Sequence, residues 1–279
     1  MSAPEDLTDR IALKRNRARA GQGAAMFLHR HAIDEMKERL KLVNRRFTAP
    51  VIVTSFPGIW ASAFPGARVV ADTETLPLER GAHDLVIHAM ALHWSNDPVG
   101  QMVQARLALR PDGLFLGLLP GGQTLHQLRT ALAEAEVALC GGLSPRVLPM
   151  ADIRDLGHLL QRAGFALPVS DSFTLSVRYR SLEALLHDLR DMGETNAMAQ
   201  RSRTPLAPAV LAEAARIYRA HFADGDALLA TFELMVLTGW APAPGQPRPL
   251  RPGSATARLA DALGTSEQPL DDPARPRRP

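Results

Sequence analysis

The stretch HDLVIHAMALHWSNDP, residues 83–98, constrains the fold of this chain more than any other. Its apolar centre, residues 85–87, is long enough for a buried strand and too short for a helix. His93 and Trp94 follow, and then a polar turn. In an open α/β sheet, ligands lie just beyond the carboxyl ends of the strands. The stretch therefore predicts a strand that brings His93 and Trp94 to that rim, although the residues alone favour simple packing of Trp94 over a binding role.

Segments typical of strands and of helices alternate along the chain. Short apolar or β-branched runs predict strands at 51–54, 68–71, 85–87, 114–119, 165–169, 173–179 and 231–240. Helical periodicity predicts helices at 24–43, 97–109, 122–140, 152–163, 181–192 and 208–222. Residues 110–113 (RPDG) predict a turn, and the apolar stripe expected in the 122–140 helix is Leu125, Leu128, Leu132 and Val137. This alternation predicts a mainly parallel α/β sheet.

Composition argues against several classes of function. The chain has 279 residues, of which 46% are hydrophobic, and a net charge of +3. Only three of its 32 basic residues are lysines and the arginines are spread along the chain, so nucleic acid is not an expected partner. The single cysteine, Cys140, gives neither an intramolecular disulfide nor a cysteine metal cluster. No apolar run is long enough to span a bilayer and no secretory signal is apparent, so a cytoplasmic protein is expected.

The two ends of the chain differ in composition from its centre. Residues 1–23 form a charged N-terminal arm, which is either flexible or docked. Residues 24–240 are the expected domain, with a helical insert at about 181–225 before the last strand. Residues 241–279 hold nine of the 22 prolines and are expected to be mostly disordered, although residues 253–257 (GSATA) could dock on the domain.

Several sequence blocks together resemble a known family. In chain order they are LHWSND (92–97), LRPDG (109–113), GGQTLHQLR (121–129), GGLSP (141–145), DLGHLL (155–160), RAGF (162–165), MGETN (192–196), GW (239–240) and GSAT (253–256). This series resembles the class I methyltransferase-like family of respiratory complex I assembly factors that includes a protein-arginine hydroxylase. It is similar, more distantly, to malonyl-carrier-protein methyltransferases of biotin synthesis.

The resemblance implies a Rossmann-like class I methyltransferase fold with S-adenosylmethionine as cofactor. Family members hold this cofactor on a glycine-rich loop after the first strand, because only glycine lets the backbone curl closely around it. Here residues 54–60 (TSFPGIW) contain one glycine. Only a short segment separates the first strand from Asp72, which matches a later acidic position of the family, so a fold shortened by about one βα unit is expected. The positions that match cofactor contacts are Ser55, Gly58, Asp72, Thr73, Ala89, Met90 and Leu92.

The resemblance also implies substrate contacts on the cleft rim and in the helical insert, at His93, Trp94, Gly122, Thr124, Arg129 and Asn196. Residues 122–124 open a predicted helix whose free N–H groups would suit an anion, although plain helix initiation is the more favoured explanation. Gly193 could equally be the end of a helix. Asp72 could cap a turn or contact a ligand, and no catalytic residue is identified.

A metal site is not expected. His83, His88 and His93 recur every five residues, a spacing that does not put them on one face of a strand. Asp72, His88 and His93 could still converge as two histidines and one carboxylate, which is the less favoured alternative.

Three functional hypotheses remain open. The first is a complex I assembly factor that binds a partner subunit and modifies an arginine. The second is a methyltransferase that transfers a methyl group from S-adenosylmethionine to a small or carrier-bound acid. The third is a catalytically silent binding protein with the same fold. The expected partner is a complex I subunit, and peripheral contact with a membrane stays open.

Overall fold

The computed structural model describes residues 6–20, 24–247 and 264–265. Its helices are α1 (Arg10–Ala18), α2 (Phe27–Val43), α3 (Pro57–Ala63), α4 (Pro98–Ala108), α5 (His126–Cys140), α6 (Ile153–Arg162), α7 (Leu182–Asp191) and α8 (Pro208–Phe222). Its strands are β1 (Pro50–Val53), β2 (Arg68–Val70), β3 (His83–Ala89), β4 (Leu109–Gly121), β5 (Ala166–Tyr179), β6 (Ala223–Asp224) and β7 (Ala227–Trp240).

The strands form one sheet in the order β2-β1-β3-β4-β7-β5, with β6 paired to β7. The first four strands of this order are parallel, whereas β7 is antiparallel to both β4 and β5. β1 pairs directly with β2, and only α3 lies between them in the chain. The expected α/β Rossmann-like fold, shortened near its start, is therefore confirmed.

The inner parallel strands β1 and β3 are buried on both faces, as expected where helices cover both sides of a sheet, whereas the edge strand β2 is partly exposed. Along β3, Leu85 and Ile87 pack on the side of α2, α5, α7 and α8, whereas Val86 packs on the side of α4 and α6. Because side chains of a strand alternate between faces, the apolar run 85–87 contributes side chains to the hydrophobic cores on both faces of the sheet. The continuous apolar run that predicted β3 reflects this double burial.

Two predictions about strands were wrong in detail. Residues 165–169 and 173–179 do not form two strands, because β5 pairs with β7 along nearly its whole length, interrupted only by a register shift between Ala166 and Val169. The predicted turn 110–113 lies inside β4, where Asp112 has φ +61° and the register against β3 shifts. A turn sequence here marks an irregularity within a strand.

The predicted 122–140 helix was wrong at its start and on its apolar face. α5 begins at His126, after Leu125, which has φ +55°. Val137 is 56% exposed, whereas Glu136 is buried. Glu136 accepts hydrogen bonds from the side chain of Arg146 and the backbone of Ser144, and these bonds allow its carboxylate to be buried. The buried face of α5 therefore includes Glu136 and not Val137.

The N-terminal arm contains a helix, α1, which packs on the domain through Ala12 and Leu13. Asp9 caps the start of this helix by accepting a hydrogen bond from the backbone of Ala12. The GSATA segment, 253–257, lies outside the described residues. Among the described helices, none is long and apolar enough to cross a bilayer.

Candidate functional site

The carboxyl ends of β1, β2 and β3 meet at one edge of the sheet. β1 pairs with β2 on one side and with β3 on the other. The connections that leave β1 and β2 therefore lead to opposite sides of β1, which makes this position the switch point of the sheet. Such a switch point is where open α/β sheets bind ligands. Ser55 follows β1 and Asp72 follows β2. The residue that follows β3 is Met90, which adopts φ +52° and donates its backbone N–H to the carbonyl of Leu118.

Asp72 is buried in this edge and is held by residues of the chain itself. Arg17 Nη1 lies 2.7 Å from Asp72 Oδ2, and the hydroxyl of Ser55 donates to Oδ1. Arg17 also donates to the Ser55 hydroxyl, and Arg10 donates to the backbone carbonyl of Asp72. Both oxygens of the carboxylate are therefore engaged by the protein's own side chains.

Helix α1 lies next to Asp72 because hydrogen bonds join residues 7–16 to the chain after α7. Leu7 and Asp9 exchange backbone hydrogen bonds with residues 197–199. Asn16 donates to the carbonyl of Thr195, and Arg201 donates to the carboxylate of Asp9. Residues 7–18 consequently form a strap across the edge of the sheet, and we call them the N-terminal strap.

Gly193 lets the strap approach the chain after α7. It has φ +77°, and a Cβ there would lie 3.1 Å from Cα of Arg17 and 3.2 Å from Cζ of Phe56. The positive φ and the close contact both favour glycine. The helix-end explanation of Gly193 also holds, since its N–H donates to the carbonyl of Arg190 in the last turn of α7.

Glu194 is the second carboxylate of the site. Its Oε2 lies 2.7 Å from Trp94 Nε1 and 3.0 Å from His93 Nε2. Its Oε1 has no hydrogen-bond partner among the described residues. Glu194 therefore keeps one acceptor oxygen that the chain does not use, whereas Asp72 keeps none.

Both carboxylates are stabilised in the anionic form. Burial alone would raise the pKa of Asp72, but the charge and hydrogen bonds of Arg17, Ser55 and Arg10 hold that pKa below its usual value. Burial likewise opposes ionisation of Glu194, but the charge and hydrogen bond of His93, followed by the charge of Arg17, lower its pKa to about 2. The charge of Arg17 thus lowers the pKa of both carboxylates.

Two buried histidines next to these groups are held neutral. Burial lowers the pKa of both His29 and His88 to about 4. His29 Nδ1 lies 3.1 Å from Trp60 Nε1, and His88 Nε2 lies 2.7 Å from the side-chain oxygen of Gln101. Neutral imidazoles add no further positive charge beside Arg17.

A cavity of about 450 Å³ lies beside Glu194, and we call it the Glu194 cavity. Its polar lining residues are Trp94, Thr124, Arg146, Arg190, Glu194, Thr195, Asn196, Arg201, Ser202, Arg203 and Thr204. Most of the others are apolar, among them Leu28, Leu125, Leu128, Leu132, Leu148, Leu186, Leu189, Leu206 and Phe232. Such a lining suits a ligand with an aliphatic body and a few polar groups.

A second cavity, of about 770 Å³, lies beside Asp72, and we call it the Asp72 cavity. Three cationic side chains and two carboxylates line it, namely Arg10, Lys14, Arg17, Asp72 and Glu74. Its lining thus carries more positive than negative groups, and the more buried carboxylate is already paired with Arg17.

The predicted cofactor residues divide into two groups. Ser55, Asp72 and Thr73 line the Asp72 cavity. Gly58 does not line it: it lies in the exposed first turn of α3, and a Cβ there would meet nothing within 4 Å. Ala89, Met90 and Leu92 are buried in the cores on the two faces of the sheet and line neither cavity.

The predicted substrate residues also divide. Trp94, Thr124 and Asn196 line the Glu194 cavity. His93 does not line it but forms a hydrogen bond with Glu194, which does. Arg129 Nη2 lies 3.4 Å from the carbonyls of both Thr124 and Leu148, two residues of the wall.

Gly122 lines neither cavity, and the less favoured alternative of free N–H groups at 122–124 does not hold. The N–H of Gly122 donates to Ala151, that of Gln123 to the carboxylate of Glu233 and that of Thr124 to Gly121. The chain thus uses all three donors internally.

Sequence reasoning missed the roles of Arg17, Arg10 and Glu194. Arg10 and Arg17 are seven residues apart in α1, a spacing that puts both on one face of a helix together with Leu13. That spacing could have indicated a docked helix. Glu194 lies inside the MGETN block but carries no sequence signal of a hydrogen bond to Trp94, 100 residues away.

A metal site does not form at the less favoured set Asp72, His88 and His93. Among the described residues, no three His, Cys, Asp or Glu side chains are arranged to hold a metal ion. Each member of that set instead has a protein partner: Arg17, Gln101 and Glu194, respectively.

Comparison with known proteins gives sequence relatives and a structural neighbour of the same fold. Residues 21–117 match the family described as a methyltransferase domain. The chain is 35% identical over 222 residues to the mitochondrial arginine-hydroxylase NDUFAF5 of Danio rerio, covering 79% of this chain and 69% of that protein. It is 35% identical over 187 residues to a malonyl-[acyl-carrier protein] O-methyltransferase of Laribacter hongkongensis, covering 67% of this chain and 61% of that protein.

The structural comparison agrees with the fold. The YcgJ protein of Bacillus subtilis superposes with a TM-score of 0.51 at 12% identity, covering 77% of this chain and 100% of that one. The family resemblance expected from the sequence blocks is confirmed. The chain spans only 64% of the length of the Homo sapiens NDUFAF5 protein and 57% of that of Mus musculus.

Proposed function

Because the chain belongs to the methyltransferase-domain family that includes the arginine-hydroxylase NDUFAF5, we propose that it binds and hydroxylates an arginine side chain of a partner protein. The partner in this proposal is a respiratory complex I subunit during assembly. The observation that carries the proposal is Glu194, a carboxylate held anionic beside a leucine-lined cavity, with one oxygen unused by the chain.

The Glu194 cavity has the two features that an arginine side chain requires. Hydrogen bonds between a guanidinium and a carboxylate are short and charge-assisted. Glu194 lines the cavity, and its buried Oε1, which no described residue engages, is the acceptor that we assign to the guanidinium. The three methylene groups of the arginine stem gain from apolar neighbours, which Leu128 and Leu189 provide. His93 and Trp94 fix the carboxylate through its other oxygen, so it is oriented before a ligand arrives.

In the proposed reaction, a C–H bond of the arginine stem becomes C–OH. Dioxygen supplies the inserted oxygen atom, its second oxygen leaves as water, and a reductant supplies two electrons with two protons. The described residues contribute binding and orientation, which lower the barrier by holding the reacting carbon in one place.

We further propose that this chain does not hold S-adenosylmethionine as its family's glycine loop would. The loop position contains Phe56 and Trp60, both packed around His29, and Gly58 is exposed. Asp72 is engaged by Arg17 and Ser55. A positively charged sulfonium would also meet Arg10, Lys14 and Arg17 along the Asp72 cavity.

Peptide binding tests the substrate assignment. Fluorescent peptides that differ only in a central arginine, lysine or citrulline are titrated against the wild-type protein, Glu194→Gln and Glu38→Gln. Arginine should bind best, and Glu194→Gln should weaken its binding about tenfold or more, since one charge-assisted hydrogen bond is lost. Glu38, an exposed residue of α2, should have no effect. Equal binding of arginine and citrulline, or no effect of Glu194→Gln, would contradict the proposal.

A cellular experiment tests the reaction. In a strain lacking the gene, we expect less assembled complex I and the loss of one oxygen's mass from an arginine-containing peptide of a complex I subunit. Wild-type protein should restore both, and Glu194→Gln should not. Normal complex I together with an unchanged peptide mass would rule out the assembly role.

The cytoplasmic location stays a prediction, because the relatives named above as NDUFAF5 are mitochondrial.

Calorimetric titration with S-adenosylmethionine tests the cofactor proposal. We expect no saturable heat with the wild-type protein. Saturable binding would instead support the alternative of a working methyltransferase.

A further inference from the structure

Resting on the proposed function, we propose that the protein selects arginines flanked by acidic residues, through Arg190 and Arg203, two exposed residues in the lining of the Glu194 cavity. The Glu194 carboxylate is the only acidic group among the residues that line this cavity, whereas four arginines line it. A ligand that satisfies this lining places one cationic group by Glu194 and negative charge at the arginines.

Two of the four arginines are neutralised by the chain. Arg146 Nη2 lies 2.6 Å from the carboxylate of Glu136, and Arg201 Nη2 lies 2.9 Å from that of Asp9. Both partners are fixed in place, since Glu136 is buried and Asp9 caps α1. These two arginines therefore serve the fold and the N-terminal strap.

The other two arginines keep their charge uncompensated. Arg190 lies in the last turn of α7 and Arg203 lies in the segment before α8, and both are exposed. Neither makes an ion pair within the described part of the chain. The lining of the cavity thus has one negative group, Glu194, and two exposed positive groups without an ion-pair partner in the described part of the chain.

This arrangement of charge matches a peptide better than a simple anion. In an extended peptide each residue advances the chain by roughly 3.3 Å, so the residues on either side of a bound arginine stay close to the exposed part of the lining. Acidic side chains there would meet Arg190 and Arg203, while basic side chains would be repelled. A simple anionic amphiphile would leave Glu194 Oε1 without a hydrogen-bond donor.

The test uses peptides of equal length with a central arginine flanked by aspartates, serines or lysines. Exposed ion pairs contribute about 0.2–1 kcal/mol each, so aspartate flanks should bind about threefold tighter per arginine engaged, or roughly tenfold in all. The preference should fade as salt is raised from low ionic strength, because exposed charges are screened. In the double variant Arg190→Glu with Arg203→Glu, the preference should reverse toward lysine flanks. Arg154→Glu, an exposed arginine of α6 outside the cavity, should keep the wild-type order.

The outcomes separate this inference from the function beneath it. If serine-flanked arginine binds but aspartate gives no advantage, or the double variant keeps the wild-type order, the selection is overturned and the arginine site stands. If no arginine peptide binds, the proposed function fails. If decanoate binds instead, and its binding is lost in the double variant Arg190→Gln with Arg203→Gln, the cavity binds anionic amphiphiles. That result would overturn the proposed selection of acidic flanks.

Discussion

Asp72 is a buried carboxylate and Glu194 a half-buried one; the same arginine lowers the pKa of both, and the two differ in the hydrogen bonds that they already accept. Arg17 and Ser55 engage both oxygens of Asp72, at the position where the resemblance places a cofactor contact. His93 and Trp94 both bind one oxygen of Glu194 and leave the other without a partner among the described residues. The chain itself engages both oxygens of the first carboxylate, whereas it leaves one buried oxygen of the second without a hydrogen bond from the described residues.

The difference teaches that the acidic residue at a switch point can be engaged by the chain's own side chains without a change of fold. The carboxyl ends of β1 and β2 still meet as the topology requires. The N-terminal strap, however, brings a guanidinium to the acid of that edge. A buried ion pair contributes little net stability unless its geometry and hydrogen bonds are good, yet removing one partner is costly. The strap and Asp72 therefore depend on each other.

The largest effect should come from removing that guanidinium. Arg17→Ala leaves Asp72 buried without its main partner, and we expect the free energy of unfolding to fall by about 3 kcal/mol. Urea denaturation measures it. Arg15→Ala, on the exposed face of the same helix, should change it by less than about 0.5 kcal/mol. Equal effects of the two substitutions would mean that Asp72 does not depend on the strap.

Acid should act on the Glu194 site next most strongly. The pKa of Glu194 is lowered to about 2 in the folded protein from 4.5, so its contribution to stability is complete above pH 4.5 and is lost as the pH falls toward 2. The stability difference between the wild-type protein and Glu194→Gln should therefore shrink by roughly 2 kcal/mol over this window. Urea unfolding at a series of pH values measures it, with the exposed Glu38→Gln as control. A difference that is independent of pH would show that Glu194 is not held anionic.

The alternation of helices and strands was predictable because it depends on local pattern. Residues 85–87 are apolar on both faces, and β3 is buried on both faces. Errors arose where a distant partner decided the structure. Glu136 replaces Val137 on the buried face of α5 because Arg146 pairs with it, and pairing with β7 joins two predicted strands into β5.

The candidate site was less predictable, for the same reason. Trp94, Thr124 and Asn196 were found through the family resemblance and line one cavity. No sequence signal indicated two contacts on which the proposals rest: Arg17 lies 55 positions from its partner Asp72, and Glu194 lies 100 positions from its partner Trp94. Local periodicity contains no information on contacts over such separations.

A smaller effect should follow from crowding the strap. Gly193→Ala adds a Cβ 3.1 Å from Cα of Arg17 at φ +77°, and Gly141→Ala meets nothing within 4 Å at φ +66°. Both substitutions carry the cost of a left-handed residue, about 1 kcal/mol. The contact with the strap should add about 1 kcal/mol to Gly193→Ala alone. Thermal or urea unfolding of both variants measures the difference, and equal losses would show that the strap does not press on this residue.

The smallest effect, and the sharpest contrast with a glycine-loop cofactor site, should come from Gly58→Ala. A glycine that cradles a cofactor has no room for a side chain, whereas Gly58 lies in α3 with nothing within 4 Å of an added Cβ. Alanine is favoured over glycine within helices by about 0.5–1 kcal/mol, so the variant should be as stable as the wild-type protein or slightly more stable. Binding of the arginine peptide should not change, and unfolding and peptide titrations measure both quantities. Should the substitution instead weaken a ligand's binding at the Asp72 cavity, the β1 loop would be a functional cofactor loop, and the contrast between the two carboxylates would no longer hold.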